Sequence, residues 1–268
     1  MSREVAFLNV EDREKAMERL SMPPRAIGVG DSFLRETSAD VDQYKGLAIH
    51  ATHGLHDAIE RMLNASGTSI GGGRAIDLAA GSGAMSLRLK DRGYDVLAAD
   101  LLEDKFKLDR SEADFVRVDF NQPFAHLLPH DSRLVTAIEI IEHIENPRHF
   151  LRECRTLLAC DGALVVTTPN INSSFSKSLF IRQDIFHWFN DHDYQEHGHI
   201  TPIGVWQFYK MFQECGLRVR AHTTHGTQAF GFREWRSMWL LQQIVLRARG
   251  TSPWGDGSNH IFLLSLAA

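Results

Sequence analysis

The chain is poor in cysteine. Among its 268 residues are only Cys154, Cys160 and Cys215, and none forms a C-x-x-C pair. That excludes a disulfide framework or a cysteine-built zinc site, and an odd count fits a reducing compartment with buried thiols. No apolar run reaches the about 18 residues that a membrane-spanning helix needs. The stretch MSREVAFLNVEDREKAMERL is charged and has no long apolar segment, so no signal peptide is read there and a cytoplasmic location is expected. Cations do not predominate: 29 Lys+Arg stand against 34 Asp+Glu, a net charge of −5. This argues against a broad phosphate-binding surface, and so against a nucleic-acid partner. What the chain does have is apolar content, 43%, enough for a full core. Its length suits one domain with additions.

Residues 1–70 read as an N-terminal helical cap. Glu11–Leu20 suits a short helix that Pro23-Pro24 ends, and 41–64 is predicted to be a second, with Leu47, Leu55, Ile59 and Leu63 near helical spacing. From residue 71 onward strands and helices alternate. Strands are predicted at Arg74–Ala80, Tyr94–Ala99, Phe115–Val118, Arg133–Glu139, Ala163–Thr168, Leu217–His222 and His260–Leu266. Helices are predicted at Ala84–Arg92, from Asn146-Pro147 onward, at Pro202–Cys215 and at Glu234–Arg249. Repeated β-α-β units of this kind imply an α/β fold, a parallel sheet with helices on both faces. Residues 170–200 break the rhythm and read as an insertion over the active face. Its Phe175, Trp188 and Phe189 among His187, His192, His197 and His199 suit an acceptor pocket, a lid or simple packing. Tyr44 and His50 could close over a cofactor. Trp235, Met238, Trp239 and Leu246 form an apolar stripe, expected in the core or else in a homodimer face.

The run Arg74-Ala-Ile-Asp77-Leu-Ala-Ala-Gly81-Ser82-Gly83 joins a strand to a helix through a glycine loop. Glycines let the backbone turn tightly and approach a ligand closely. A dinucleotide fingerprint would need a third glycine, and here Ser86 stands in its place. Asp77 also disfavours pyrophosphate, which it would repel. S-adenosylmethionine (SAM) carries an ammonium and a sulfonium and no phosphate, so a carboxylate there suits it. Asp100, followed by Leu101, ends the second strand, where two carboxylate oxygens can accept both ribose hydroxyls. Asp119 follows the third strand, placed to accept from an adenine amino group with Phe120 beside the ring.

In this order, glycine loop, ribose acid and adenine acid resemble the class I SAM-dependent methyltransferases, from about Lys45 to Leu266. The stretch VTAIEIIEHIENPRHFLRECRTLLACDGALVVTTPN (135–170) is similar to the bacterial small-molecule group that includes ubiquinone-biosynthesis O-methyltransferases. The resemblance implies a Rossmann-like seven-stranded sheet with an antiparallel last strand, assigned to His260–Leu266. Ala79-Ala80 departs from the family's commoner glycine-containing pair.

Glu139, Glu142 and His143 end the fourth strand, and a helical turn would put all three on one face. Two carboxylates and an imidazole can hold Mg²⁺, Mn²⁺ or Zn²⁺. The resemblance implies such a metal at E-x-x-E-H in some relatives, with a further downstream histidine, here His197 or His199. In others Glu139 flanks the cofactor, while Glu142 and His143 serve as proton acceptor or orient the acceptor. Methyl transfer from a sulfonium has a neutral leaving group and needs no acid; it needs proximity and a deprotonated nucleophile. The cluster therefore favours an oxygen acceptor on a small molecule or on a sugar- or lipid-linked intermediate. The alternatives are an RNA 2′-O-methyltransferase-like enzyme, a non-catalytic SAM-binding module and, at fold level, an NAD oxidoreductase.

Overall fold

The computed structural model describes residues 42–67, 71–233, 235–249 and 254–267. The expected helix at Glu11–Leu20, and with it most of the N-terminal cap, lies outside them.

Apolar residues along Arg74–Leu78 (β3), Asp95–Asp100 (β4) and Ser132–Ala137 (β6) are mostly buried on both faces, the pattern of a parallel sheet covered on both sides. With Asp114–Arg117 (β5), Leu158–Pro169 (β7), Leu217–His225 (β8) and Asn259–Leu266 (β9) they form a seven-stranded sheet of order β5-β4-β3-β6-β7-β9-β8. β3 pairs in parallel with both β4 and β6, while β9 runs antiparallel to β7 and β8. The sheet expected from the sequence, antiparallel last strand included, is the one found.

Helices cover both faces. Leu55–Ala65 (α1) and Ala84–Asp91 (α2) bury Leu55, Ile59, Leu63 and Leu89 on one side. Pro147–Thr156 (α3) and Val205–Glu214 (α5) bury Phe150, Phe208 and Phe212 on the other. α3 starts as read: the Asn146 side chain accepts from the His149 N–H at 3.1 Å, with Pro147 in the first turn.

The expected helix over 41–64 is shorter. Lys45 and Gly46 take positive φ and close a small hairpin of Gln43–Tyr44 (β1) and Leu47–Ala48 (β2), and Gly54, also at positive φ, delays the helix to Leu55. The insertion is partly helical, with Ser174–Gln183 (α4) capped by Ser173, then a π-turn at Asp193–His197. The last helix, Arg236–Arg249 (α6), buries Met238 and Gln242, whereas Trp235 and Leu246 stay exposed. The core reading of that stripe therefore holds for Met238 alone, because α6 packs on α4 through a different face. Cys154 and Cys215 are buried thiols as expected, but Cys160 is exposed.

Because β3 has a neighbour on each side and the chain leaves it toward β4 before returning to β6, a crevice opens at the carboxyl ends of β3 and β6. Every residue considered below for cofactor or acceptor chemistry lies in loops or turns at that edge, or on an element beside them.

Phe150, fully buried between Phe120 and Phe124, tests the core. Phe150→Ala should lower unfolding free energy by about 3–5 kcal/mol in denaturant titrations. Trp206→Ala, at an exposed position, should change it by under about 0.5 kcal/mol.

Candidate functional site

The glycine loop is held from three directions. The Asp100 carboxylate accepts from the Gly81 N–H at 2.9 Å and from the Leu102 N–H at 3.0 Å. The Ser82 hydroxyl donates to the Ala48 carbonyl, which fastens the β1–β2 hairpin to the loop. A Cβ on Gly83, at the start of α2, would come within 2.9 Å of Phe106 and Leu108. A Cβ on Gly81 would meet only the His50 ring, at 4.0 Å, so the backbone there can be approached closely. His50 thus lies near the loop. Tyr44 does not: its hydroxyl donates to Asp91 and its ring lies over Arg88 at 4.1 Å. Ala79 takes φ 59, a conformation a glycine would adopt without strain.

Asp77 is only 2% exposed. Ser86 and Thr136 each donate a hydroxyl to it at 2.7 Å. Burial pushes its carboxyl up from 3.8 to about 6, against the pull of those two hydrogen bonds. It is therefore held between α2, through Ser86, and β6, through Thr136. Ser86, seen in the sequence only as a missing glycine, is one of its anchors, and Thr136 gives no signal in the sequence.

Asp100 and Leu101 are half-buried at the crevice, and Asp119 is exposed with its carboxylate accepting from the Asn121 N–H at 2.9 Å. Phe120 departs from expectation. It is buried edge-on against Phe124 and Phe150, so it belongs to the core and not to an adenine pocket. The alternation of side chains past β5 sends Asp119 outward and its neighbour in.

After β6 the chain makes one 3₁₀ turn, Ile141–His143. Glu139, at φ 48, faces away from that turn: Thr167 donates to one carboxylate oxygen at 2.7 Å and Asn259 to the other at 2.6 Å. Asn259 in turn accepts from Thr52 at 2.7 Å, linking Glu139 to the segment beside the loop. Glu142 is fully buried, and neither carboxylate oxygen has a hydrogen-bond partner. Burial, and then Glu139, raises its carboxyl well above the ordinary range.

Glu142, His143 and His199 bring one ligand atom each within 4.8 Å of one another. The Gly198 carbonyl accepts from His143 Nδ1 at 3.1 Å, and the Trp188 carbonyl from His199 Nδ1 at 2.6 Å. A carbonyl can only accept, so each of these two Nδ1 atoms carries a proton. Burial, with His199 next, lowers His143 to about 3, so its ring is neutral at physiological pH. Three of the four candidate ligands therefore meet. Glu139 is outside that group because its oxygens are already engaged across β7 and β9. Trp188, at φ 67, was read only as an insertion aromatic; its carbonyl orients His199, and its buried indole N–H has no partner.

A family model for a methyltransferase domain matches residues 47–222. The ubiquinone biosynthesis O-methyltransferase of Stutzerimonas stutzeri (strain A1501) is 24% identical over 161 residues, 57% of this chain and 67% of that protein. That of Cereibacter sphaeroides (strain ATCC 17025 / ATH 2.4.3) is 28% identical over 152 residues, 54% of this chain and 60% of that protein. The matches thus span three-fifths to two-thirds of these relatives' lengths. A crystal structure of a SAM dependent methyltransferase from Archaeoglobus fulgidus superposes with TM-score 0.53 at 14% identity, over 78% of this chain and 93% of that one. At that identity the likeness concerns the fold.

Asp77 gives a pH test. Its folded value, about 6, lies above its ordinary 3.8, so the folded state keeps a proton that the unfolded chain releases. Its contribution to stability is full below about pH 4 and declines as pH rises to about 6. Asp77→Asn should remove that part of the decline, about 2–3 kcal/mol in unliganded protein. Denaturant titrations at intervals through this range check it; an unchanged slope would mean the carboxyl is ionised in the folded state.

Proposed function

The chain belongs to the methyltransferase-domain family, and from that membership we propose that it moves a methyl group from SAM to a hydroxyl oxygen of a small molecule or of a sugar- or lipid-linked intermediate. One observation carries the reading: an acid-anchored glycine loop and the Glu142–His143–His199 cluster lie at the same end of the sheet. SAM supplies an electrophilic methyl on a sulfonium. The residues fit it. Gly81 offers open backbone, Asp100 offers its remaining lone pairs to a ribose diol, and Asp119 an exposed carboxylate to the adenine amino group. Glu139 and Asp77 add negative charge on the side where a sulfonium and an ammonium would lie.

The acceptor hydroxyl must lose its proton as the new bond forms, and its ordinary pKa lies near or above ~10. His143, whose ring is neutral, is the group to take it, and Glu142 could do so only once it had ionised. The same residues fit a divalent cation, since Glu142 is an orphaned buried carboxylate beside two imidazoles whose tautomers are set by backbone carbonyls. A cation held there by Glu142, His143 and His199 would lower the hydroxyl's pKa. Glu142 would ionise on binding it.

SAM should raise the melting temperature, and NAD should not. Asp100→Ala should weaken SAM binding by about tenfold or more in calorimetry, through both the ribose contact and the Gly81 anchor. A shift with NAD alone would give the crevice to a dinucleotide. Transfer of radiolabel from SAM to hydroxylated metabolites tests the chemistry. His143→Ala should lower kcat more than it raises the KM for SAM. Elemental analysis after reconstitution with Mg²⁺, Mn²⁺ or Zn²⁺, with Glu142→Ala as control, tests the cation. None retained would leave His143 as the proton acceptor.

A further inference from the structure

Large apolar side chains are unevenly exposed. Of the ten that stay open among the described residues, seven lie on α4, on α6 or on the turn before α6. Ile181 at 63%, Ile244 at 62% and Trp235 at 56% are the most open of these. The two helices pack together, and Gln242 of α6 donates to the Ser174 hydroxyl of α4 at 3.3 Å. On α6, Met238 and Gln242 turn inward. Arg236, Leu240, Ile244 and Arg247 follow at steps of four, four and three and share the outward face, all exposed. The face is thus an apolar stripe with an arginine near each end, and Trp235 and Phe232 lie at its amino end.

Charge narrows what covers it. In a chain of net charge −5, α4 carries Lys177 and Arg182, and α6 carries Arg236, Arg247 and Arg249, with no carboxylate on either helix. Between Gly231 and Arg249 the one acid is Glu234. Arg249 is engaged with Asp256, but Arg182, Arg236 and Arg247 have no carboxylate partner among the described residues. A two-fold contact with a second copy would set these arginines against one another. A single-stranded nucleic acid needs aromatic platforms along a basic groove, whereas the centre of this face is Leu240 and Ile244. An amphipathic helix with aliphatic residues in its stripe, arginines at its margin and tryptophan at its border matches the boundary between lipid headgroups and acyl chains. α6 has 14 residues, too short to span a bilayer but enough to lie in its surface.

We propose that the α4–α6 face docks the protein on an anionic lipid surface. The inference rests on surface residues alone and is independent of methyl transfer. The full chain is mixed with vesicles of phosphatidylcholine containing about a quarter phosphatidylglycerol, or of phosphatidylcholine alone, and sedimented at low and high salt. The protein should pellet with the anionic vesicles, much less with the neutral ones, and less at high salt. Leu240→Glu with Ile244→Glu should abolish pelleting. Arg236→Gln with Arg247→Gln should weaken it by about tenfold or more. Unchanged melting temperatures without ligand would show both variants folded. The proposal is overturned if the native chain does not pellet, or if both folded variants pellet as it does. It is also overturned if light scattering finds a dimer that Leu240→Glu with Ile244→Glu splits, giving the face to a second copy. Salt-sensitive RNA retention that the arginine variant loses, without vesicle binding, would give it to nucleic acid.

Discussion

Burying a carboxyl group without a cation beside it is costly, and this molecule does it at Asp77 and Glu142, and in part at Glu139, within one crevice. Asp77, Glu139 and Glu142 are each raised above the ordinary carboxylate range, and none is paired with a lysine or arginine among the described residues. Asp77 is offset by two hydroxyls and Glu139 by a hydroxyl and an amide, whereas Glu142 has a weak contribution from the Thr168 hydroxyl, too loose to count as a formed bond. The uncompensated cost is therefore greatest beside the histidines, at Glu142. A crevice arranged this way gains most from a positive charge brought to it, whether a sulfonium or a divalent ion.

The fold is what makes this arrangement possible. Parallel strands bring their carboxyl ends to one edge, so Asp77, Asp100, Asp119, Glu139 and Glu142 converge although they span 66 residues of sequence. The antiparallel β9 starts at that edge, so its first residue, Asn259, meets Glu139. Asn259 also holds Thr52, so the end of the sheet, the segment beside the glycine loop and the acid after β6 form one hydrogen-bonded unit. A change at any of the three alters the other two.

Much of this was legible from local sequence. Strand-turn-helix spacing, the glycine loop, the Asn146-Pro147 start and the acids at strand ends are local patterns, and each was found where read. The failures share a cause. Whether 41–64 continued as one helix depended on Lys45 and Gly54 adopting positive φ, which hydrophobic spacing does not report. Phe120 and Asp119 are adjacent, and the sequence could not say which faced inward. Thr136, Thr167 and Asn259 make contacts across strands, visible only once the sheet order is known. The stripe on α6 had helical spacing, but spacing is the same for a face that meets the core and a face that meets something else.

The position of Asp77 changes the account of selectivity. Read from sequence, its carboxylate faces the cofactor; in the fold it is buried and accepts from Ser86 and Thr136. Its effect on a ligand is therefore a field acting at a distance, and fields add. With Asp100 beside it and Glu139 beyond, a pyrophosphate would be opposed by more than one carboxyl group, and replacing any one would leave part of that opposition. Glu142 is the contrasting case: burial first, and Glu139 second, raise its carboxyl well above the ordinary range, so it adds no negative charge until something makes its ionised form the stable one.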